Sequence, residues 1–124
     1  MNNYLTKENP KTIFIAGGSG MVGGAIYKSL MKSRKYGNQK SYKILKPNRQ
    51  ELDLSNYSSV QRWFSENTPS IVIIAAAKVG GILANSNYPY DFILENLKIQ
   101  TNLIELSHIH KVKKLLFLGS SCIY

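Results

Sequence analysis

The sequence has little of what would mark a secreted, membrane or metal-binding protein. Its single cysteine, Cys122, excludes an internal disulfide. No apolar run approaches the roughly 18 residues needed to span a membrane, and the polar N-terminus has no signal-peptide apolar region. The two histidines, His108 and His110, lie two positions apart in a predicted helix and point to different faces, so no metal site is expected. These absences favour a cytoplasmic protein without a membrane partner.

Acidic residues are also scarce. The 124 residues include seven Asp and Glu against sixteen Lys and Arg, a formal net charge of +9. Half of the basic residues lie between Lys28 and Arg49, a span without Asp or Glu. Three interpretations are open: a solvated helix end and loop, a site for a cofactor phosphate, or a nucleic-acid surface. Aromatic and basic residues do not alternate and there is no helix-turn-helix pattern, so nucleic acid is not expected as a partner.

Strand-like and helix-like segments alternate along the chain. Strands are predicted over residues 12–16, 42–45, 71–74 and 113–118, with the alternating segment 49–54 as a further candidate. Helices are predicted over about 21–34, 57–66 and 89–110. Such alternation indicates parallel strands joined by right-handed crossovers. The predicted fold is therefore α/β, a three-layer Rossmann-like parallel sheet of about five strands in the order 3-2-1-4-5.

The first predicted strand runs directly into three glycines, Gly17, Gly20 and Gly23, and a helix follows. Gly17 permits a tight turn out of the strand, Gly20 lets the backbone approach a diphosphate, and Gly23 lets helix and strand pack closely. The N–H groups and the dipole at the helix start favour an anion there. The turn therefore predicts a dinucleotide site, with a structural turn that holds no ligand as the alternative. Its other candidate cofactor contacts are Ser19, Met21 and Val22.

The residues after the second predicted strand bear on the choice of cofactor. Dinucleotide folds that prefer NAD carry an acidic residue there, which bonds the ribose 2′-hydroxyl. This chain has Lys46 and Arg49 instead. Two cations at this place favour the 2′-phosphate of NADP(H). Two solvated loop cations are the alternative.

Two further segments supply candidate cofactor contacts. Asp53 can accept a hydrogen bond from the adenine amine while Leu54 covers the ring. A buried strand ends in small side chains, which let the ribose and nicotinamide approach the backbone; these are Ala75, Ala76 and Ala77. Ordinary packing of helices on the sheet explains the three alanines equally well.

Ser120 and Cys122 follow the last predicted strand, at the edge where open α/β sheets bind ligands. A hydroxyl there can hydrogen-bond a substrate carbonyl or alcohol, and a thiol can move a proton. These two residues are the candidate catalytic groups. For Cys122, a role as a small buried apolar side chain is the alternative.

Together, four segments resemble the GDP-L-fucose synthase family of the extended short-chain dehydrogenase/reductase group. They are GGSGMVG (17–23), RQELDL (49–54), AAAKVGGI (75–82) and KLLFLGSSCIY (114–124). The string AAAKVGGI and the GSSCIY end of the last string are far more specific than the glycines. The resemblance covers nearly the whole chain from about residue 11.

The resemblance implies an NADP(H)-dependent enzyme that is both isomerase and oxidoreductase. It would epimerise GDP-4-keto-6-deoxy-D-mannose at C3 and C5 and then reduce the C4 ketone, yielding GDP-L-fucose. The position of Ser120 implies that it polarises the C4 oxygen, and that of Cys122 implies acid/base work in epimerisation. A homodimer acting on a GDP-sugar is implied as well.

The resemblance also implies parts that these residues do not include. The family's catalytic Tyr-x-x-x-Lys motif, the remaining strands and the substrate domain are expected beyond Tyr124. Tyr36-x-x-x-Lys40 and Tyr42-x-x-x-Lys46 fall around the second strand and are chance matches. We therefore expect residues 1–11 to be a flexible lead-in, and 12–124 to be the N-terminal part of an NAD(P)-binding Rossmann domain, inactive alone. The alternative is a non-catalytic dinucleotide-binding remnant of a nucleotide-sugar epimerase or dehydratase.

Overall fold

The structure, a computed structural model, describes residues 11–18, 20–36, 42–75 and 89–118. Strands and helices alternate through these residues. The strands are β1 (Lys11–Ala16), β2 (Tyr42–Leu45), β3 (Ile71–Ile74) and β4 (Lys114–Phe117). The helices are α1 (Met21–Tyr36), α2 (Tyr57–Asn67) and α3 (Pro89–Ile109). Of the predicted lead-in, 1–10 lie outside the described residues, and Lys11 already belongs to β1.

The four strands form one parallel sheet in the order β2-β1-β3-β4. Ile13 of β1 lies opposite Ile44 of β2 on one side and Ile71 of β3 on the other. Ile71 in turn lies opposite Lys114 of β4. The predicted parallel α/β fold is confirmed, and these strands keep the relative order that the sequence predicts.

The prediction of a possible strand over 49–54 is wrong, because local hydrogen bonds fold this segment into turns. Asn48 and Glu51 bond each other reciprocally: the Asn48 amide donates to the Glu51 carboxylate at 2.7 Å, and the Glu51 amide donates to Asn48 Oδ1 at 2.8 Å. Asp53 and Ser55 close a second turn. Short polar side chains that satisfy nearby backbone groups compete with a strand ladder. The strand-like alternation reflects two leucines, of which Leu52 is buried and Leu54 half-buried.

The sheet is covered on both faces. Phe14, Ala16, Val72 and Ile74 face α2 and α3 and belong to the larger core cluster. The alternate residues face α1 in a smaller cluster, whose buried members are Ile13, Ile15 and Ile73. Burial on both faces explains why β1 and β3 are continuously apolar rather than alternating.

Helix α2 begins and ends as its sequence predicts. The Asn56 side chain accepts a hydrogen bond from the Ser59 amide and caps the helix start, while Thr68 ends it in the left-handed conformation. Val60 and Phe64 are buried, and Phe64 packs edge-on against Phe14 with ring centroids 5.8 Å apart.

Helix α1 turns a different face to the sheet from the one that its apolar spacing predicts. The apolar spacing in the sequence predicts an inner face formed by residues 22, 25, 26 and 30. Ile26 and Leu30 do pack on the sheet, together with Tyr27, but Val22 and Ala25 are exposed. The reason is that Gly23 rests on the glycine turn, and this contact sets the rotation of the helix.

Helix α3 is apolar on two opposite sides. Ile99, Leu103 and Leu106 are buried against the sheet. The far side carries exposed apolar side chains at helical spacing, namely Tyr90, Ile93, Leu94, Leu97 and Ile104. Strand β4 is exposed along its whole length. Within the part of the chain that the structure describes, no helix is both long enough and apolar enough to cross a membrane.

We expect Phe64→Ala to lower the free energy of unfolding by about 3–5 kcal/mol, because the ring is fully buried and leaves a cavity. Urea denaturation followed by circular dichroism measures this. Gln61→Ala, on the exposed side of the same helix, is the control and should change stability by less than about 0.5 kcal/mol. Similar small effects for both variants would contradict the packing described.

Candidate functional site

The candidate site lies at the carboxyl edge of the sheet, where the strands end side by side. The Ala75 amide donates to the Ala16 carbonyl at 2.8 Å, and the Leu118 amide donates to the Ile74 carbonyl at 3.1 Å. The ends of β1, β3 and β4 are therefore joined, and the glycine turn leaves β1 at this edge. Ligands of open α/β sheets bind at this edge.

Gly17 and Gly23 are required by the backbone of the turn itself. Gly17 has a φ of 91°, a conformation that side chains other than glycine rarely adopt. A Cβ added to Gly23 would lie 2.0 Å from the Gly17 carbonyl oxygen, so α1 sits directly on the backbone of the turn. The turn is closed by a hydrogen bond from the Gly20 amide to the same oxygen, at 3.0 Å.

Gly20 differs, because nothing in the described structure requires it to be glycine. A Cβ there would meet only the Gly17 carbonyl oxygen, at an ordinary 3.5 Å, and its φ lies outside the left-handed region. Apart from the chain neighbours of Gly20, no other atom of the described residues lies within 4 Å of that Cβ. A ligand whose phosphates approach the backbone would account for the missing side chain.

The start of α1 faces the same space. Met21 is 91% exposed and Val22 is 54% exposed, which is unusual for apolar residues at the start of a helix packed on a sheet. The first turn has no acidic residue, so no carboxylate of that turn neutralises the positive end of the helix dipole. Both features suit an anionic ligand with apolar contacts at its flank.

Lys46 directly follows β2 and crosses the glycine turn. A Cβ added to Gly18 would lie 2.6 Å from Lys46 Cβ, so the side chain passes against the turn backbone. Its ammonium lies 4.7 Å from the centroid of the Tyr27 ring. The structure thus brings Lys46 to the glycine turn, as a cation for a phosphate requires.

The structure places Arg49 elsewhere. Its guanidinium bonds the carboxylate of Glu95 on α3 at 2.7 Å. Arg49 is therefore paired with a carboxylate, whereas Lys46 lies on the turn.

Asp53 and Leu54 lie in the loop between β2 and α2. The hydroxyl and the amide of Ser55 both donate to Asp53 Oδ1, and these bonds, aided by the charge of Arg49, hold the pKa of the Asp53 carboxyl below its usual value. An ionised carboxylate only accepts hydrogen bonds, which suits an amine partner. The Leu54 carbonyl accepts from the Asn102 side chain at 2.9 Å, and the Leu54 side chain packs partly on the larger core.

Several predicted site residues lie outside the described residues, namely Ser19, Ala76, Ala77, Ser120 and Cys122. Ala75 is described and sits beside the end of β1. The described residues contain no cluster of three or more potential metal ligands. His110 packs near Phe64, with ring centroids 5.6 Å apart.

Sequence reasoning missed two residues of α3 that hold the loop, Glu95 and Asn102. Asn102 is 8% exposed although polar, and it sits among buried apolar residues of the helix. Asn102 could have been found in the sequence as a polar residue on the apolar, buried face of the predicted helix. Nothing in the sequence singled out Glu95.

Comparison with known proteins gives consistent matches. The model of the NAD dependent epimerase/dehydratase family matches residues 13–124. The chain is 50% identical over 122 residues to the putative GDP-L-fucose synthase 2 of Arabidopsis thaliana, covering 98% of this chain and 35% of that protein. It is 51% identical over 112 residues to GDP-L-fucose synthase 1 of the same plant, covering 90% and 33%.

A solved structure is similar as well. It is MlghC, the GDP-mannoheptose C4 reductase from Campylobacter jejuni with NADP bound. The identity is 39% and the TM-score 0.79, covering 96% of this chain and 33% of that one. The chain thus spans about a third of the length of these relatives.

Gly23→Ala should destabilise the protein by at least about 2 kcal/mol, because its Cβ would overlap the Gly17 carbonyl. Gly24→Ala is the matched control on the same helix, where the Cβ would meet only the Gly18 oxygen at 3.6 Å. It should gain about 0.5–1 kcal/mol from helix propensity. Thermal and urea unfolding measure both, and effects of the same sign would contradict the described contact.

Proposed function

The chain belongs to the NAD dependent epimerase/dehydratase family, and on that premise we propose that it is the NADP-binding N-terminal part of a GDP-L-fucose synthase. Such an enzyme epimerises GDP-4-keto-6-deoxy-D-mannose at C3 and C5 and reduces it at C4. The curated relatives that carry this name, and the four segments that resemble the family, support the proposal.

The observation that carries the cofactor part is Gly20. Gly17 and Gly23 are explained by the protein's own backbone, and Gly20 is not. A pyrophosphate above Gly20, at the start of α1, explains it and fits the exposed Met21 and Val22. NADP(H) would supply the hydride for C4.

The remaining cofactor contacts follow the edge of the sheet. Lys46, whose stem lies against the glycine turn, would meet the 2′-phosphate, and the absence of an acid directly after β2 is consistent with NADP(H). Asp53 and Leu54 would receive the adenine. The small side chains of 75–77 would leave room for the nicotinamide riboside, with Ser19 beside the pyrophosphate.

The proposed chemistry depends on the residues just after β4. Ser120 would donate a hydrogen bond to the C4 oxygen and polarise the ketone. Cys122 would remove and return protons at C3 and C5, whose acidity comes from that ketone. Because Leu118 is bonded to β3 at the carboxyl edge, both positions follow a strand that ends at the same sheet edge as the glycine turn, with β3 between them.

We propose that residues 1–124 alone are inactive, because the Tyr-x-x-x-Lys motif implied by the resemblance lies beyond them. We also propose a cytoplasmic homodimer. The exposed apolar side of α3 supports the dimer as a surface that a second copy could cover, although a covering element from the rest of the complete gene product explains it equally well. A second copy of α3 would cover Leu97 and Ile104, which are 54% and 42% exposed.

The cofactor proposal is tested with Gly20→Ala. Calorimetry should show NADPH binding to the complete gene product about tenfold more weakly in the variant, since a methyl group would fill the space proposed for the pyrophosphate. Its unfolding midpoint should barely move, because the added Cβ meets no close neighbour. Unchanged NADPH affinity would contradict the proposed site.

A companion assay tests the reaction in the complete gene product, by following NADPH oxidation with GDP-4-keto-6-deoxy-D-mannose. Wild type should turn over and Ser120→Ala should lose at least about 100-fold. Cys122→Ser should impair proton exchange at C3 and C5. Binding of NADPH without any turnover would favour the non-catalytic remnant.

The dimer is tested with Leu97→Glu, which places a charge in the proposed apolar contact and should produce monomers in sedimentation. Lys98→Glu, the exposed neighbouring residue on the same helix, is the control and should leave the dimer intact. A monomeric wild-type protein would contradict the proposal.

A further inference from the structure

We propose that Arg49 is a positioning residue that holds the loop 46–54 on α3, and that Lys46 alone discriminates the 2′-phosphate. This inference rests on the proposed function. In the sequence Lys46 and Arg49 are equal candidates for the 2′-phosphate, and their contacts separate them.

The charge of Arg49 is already balanced. Its Nη2 lies 2.7 Å from Glu95 Oε2, and the Glu95 side chain is the less exposed of the two, at 26% against 67%. A paired guanidinium and carboxylate sum to zero charge, so together they attract a phosphate dianion weakly. Moving Arg49 to a phosphate would break a charge-assisted hydrogen bond and leave Glu95 near the new anion.

Lys46 has the opposite environment. Among the described residues it has no ion-pair partner, and its ammonium lies over the Tyr27 ring. Its stem passes against Gly18, at the turn where the dinucleotide is proposed to bind. The Lys46 stem therefore lies at the turn and its ammonium has no carboxylate partner among the described residues, whereas the Arg49 guanidinium is paired with Glu95 on α3.

The Arg49–Glu95 pair works together with a second contact. Asn102, two turns further along α3, donates to the Leu54 carbonyl at 2.9 Å. The two bonds join positions 46 and 48 residues apart in sequence and fasten both halves of the loop to one helix. The loop lacks strand pairing, so these bonds, together with the packing of Leu52 and Leu54 on the larger core, fix the position of Asp53 and Leu54.

Different consequences follow for the two cations. Loss of Lys46 should change the preference for NADPH over NADH, because only NADPH has the 2′-phosphate. Loss of Arg49 or of Glu95 should weaken both nucleotides by the same factor, because both share the adenosine that the loop receives.

The experiment measures Kd for NADPH and NADH in Lys46→Gln, Arg49→Gln, Glu95→Gln and the control Lys43→Gln, all in the complete gene product. Lys43 is an exposed cation on β2. Lys46→Gln should lower the NADPH/NADH preference about tenfold, and Lys43→Gln should leave it unchanged. Arg49→Gln and Glu95→Gln should weaken both nucleotides about equally. Combining Arg49→Glu with Glu95→Arg should restore part of the loss.

Hydrogen exchange without ligand gives a second readout. The amides of Glu51, Leu52 and Asn56 are hydrogen-bonded within the loop, and they should exchange faster in Arg49→Gln and Glu95→Gln but not in Lys46→Gln. A selective loss of NADPH preference in Arg49→Gln, or unchanged exchange there, would overturn the inference. Failure of wild type to bind either nucleotide would overturn the proposed function instead, and the exchange pattern would still decide the role of Arg49.

Discussion

The contact between Gly23 and the Gly17 carbonyl is the constraint on which the rest of this site depends. A missing side chain lets α1 rest directly on the backbone of the turn, where a Cβ would lie 2.0 Å from the oxygen. That contact directs the helix start at the edge where β1, β3 and β4 end together. It also sets the rotation of α1, so that Tyr27 faces the sheet and Val22 faces outward. The three glycines therefore have separate explanations: backbone conformation at Gly17, close packing at Gly23 and, as proposed above, the approach of a ligand at Gly20.

A second constraint acts at the other end of the proposed cofactor site. The loop between β2 and α2 has no strand partners and is bonded mainly within itself and to α3. Its internal bonds come from short polar side chains, and its outer bonds run from Arg49 to Glu95 and from Asn102 to Leu54. Because α3 also has an exposed apolar side, the helix that holds the loop is the one proposed to meet a second subunit. Cofactor site and assembly would then share one element.

Much of the fold could be predicted from sequence, and the exceptions have physical causes. The bounds of β2, β3 and the start of α2 agree with prediction, since continuous apolar runs and the Asn56 cap are local signals. The prediction of a strand over 49–54 was wrong, because the two leucines have the spacing of a strand while Asn48 and Glu51 close a turn. Periodicity also misjudged the inner face of α1, because the close contact at Gly23 outweighed the apolar spacing. At the candidate site, the glycines were predicted from their spacing and Lys46 from its place after β2, whereas the ion pair that distinguishes Arg49 joins residues far apart in sequence.

The sequence by itself determined the class of fold, the place of the glycine turn, and the family to which the chain belongs. These depend on local patterns: apolar runs that must be buried, glycines between strand and helix, and specific strings at strand ends. Only the tertiary structure decided what each charged residue near the turn does. Lys46 and Arg49 are three positions apart and chemically similar, but one crosses the turn and the other bonds Glu95 on a distant helix. The role of a charge depends on its neighbours in space, and the fold brings those neighbours from elsewhere in the chain.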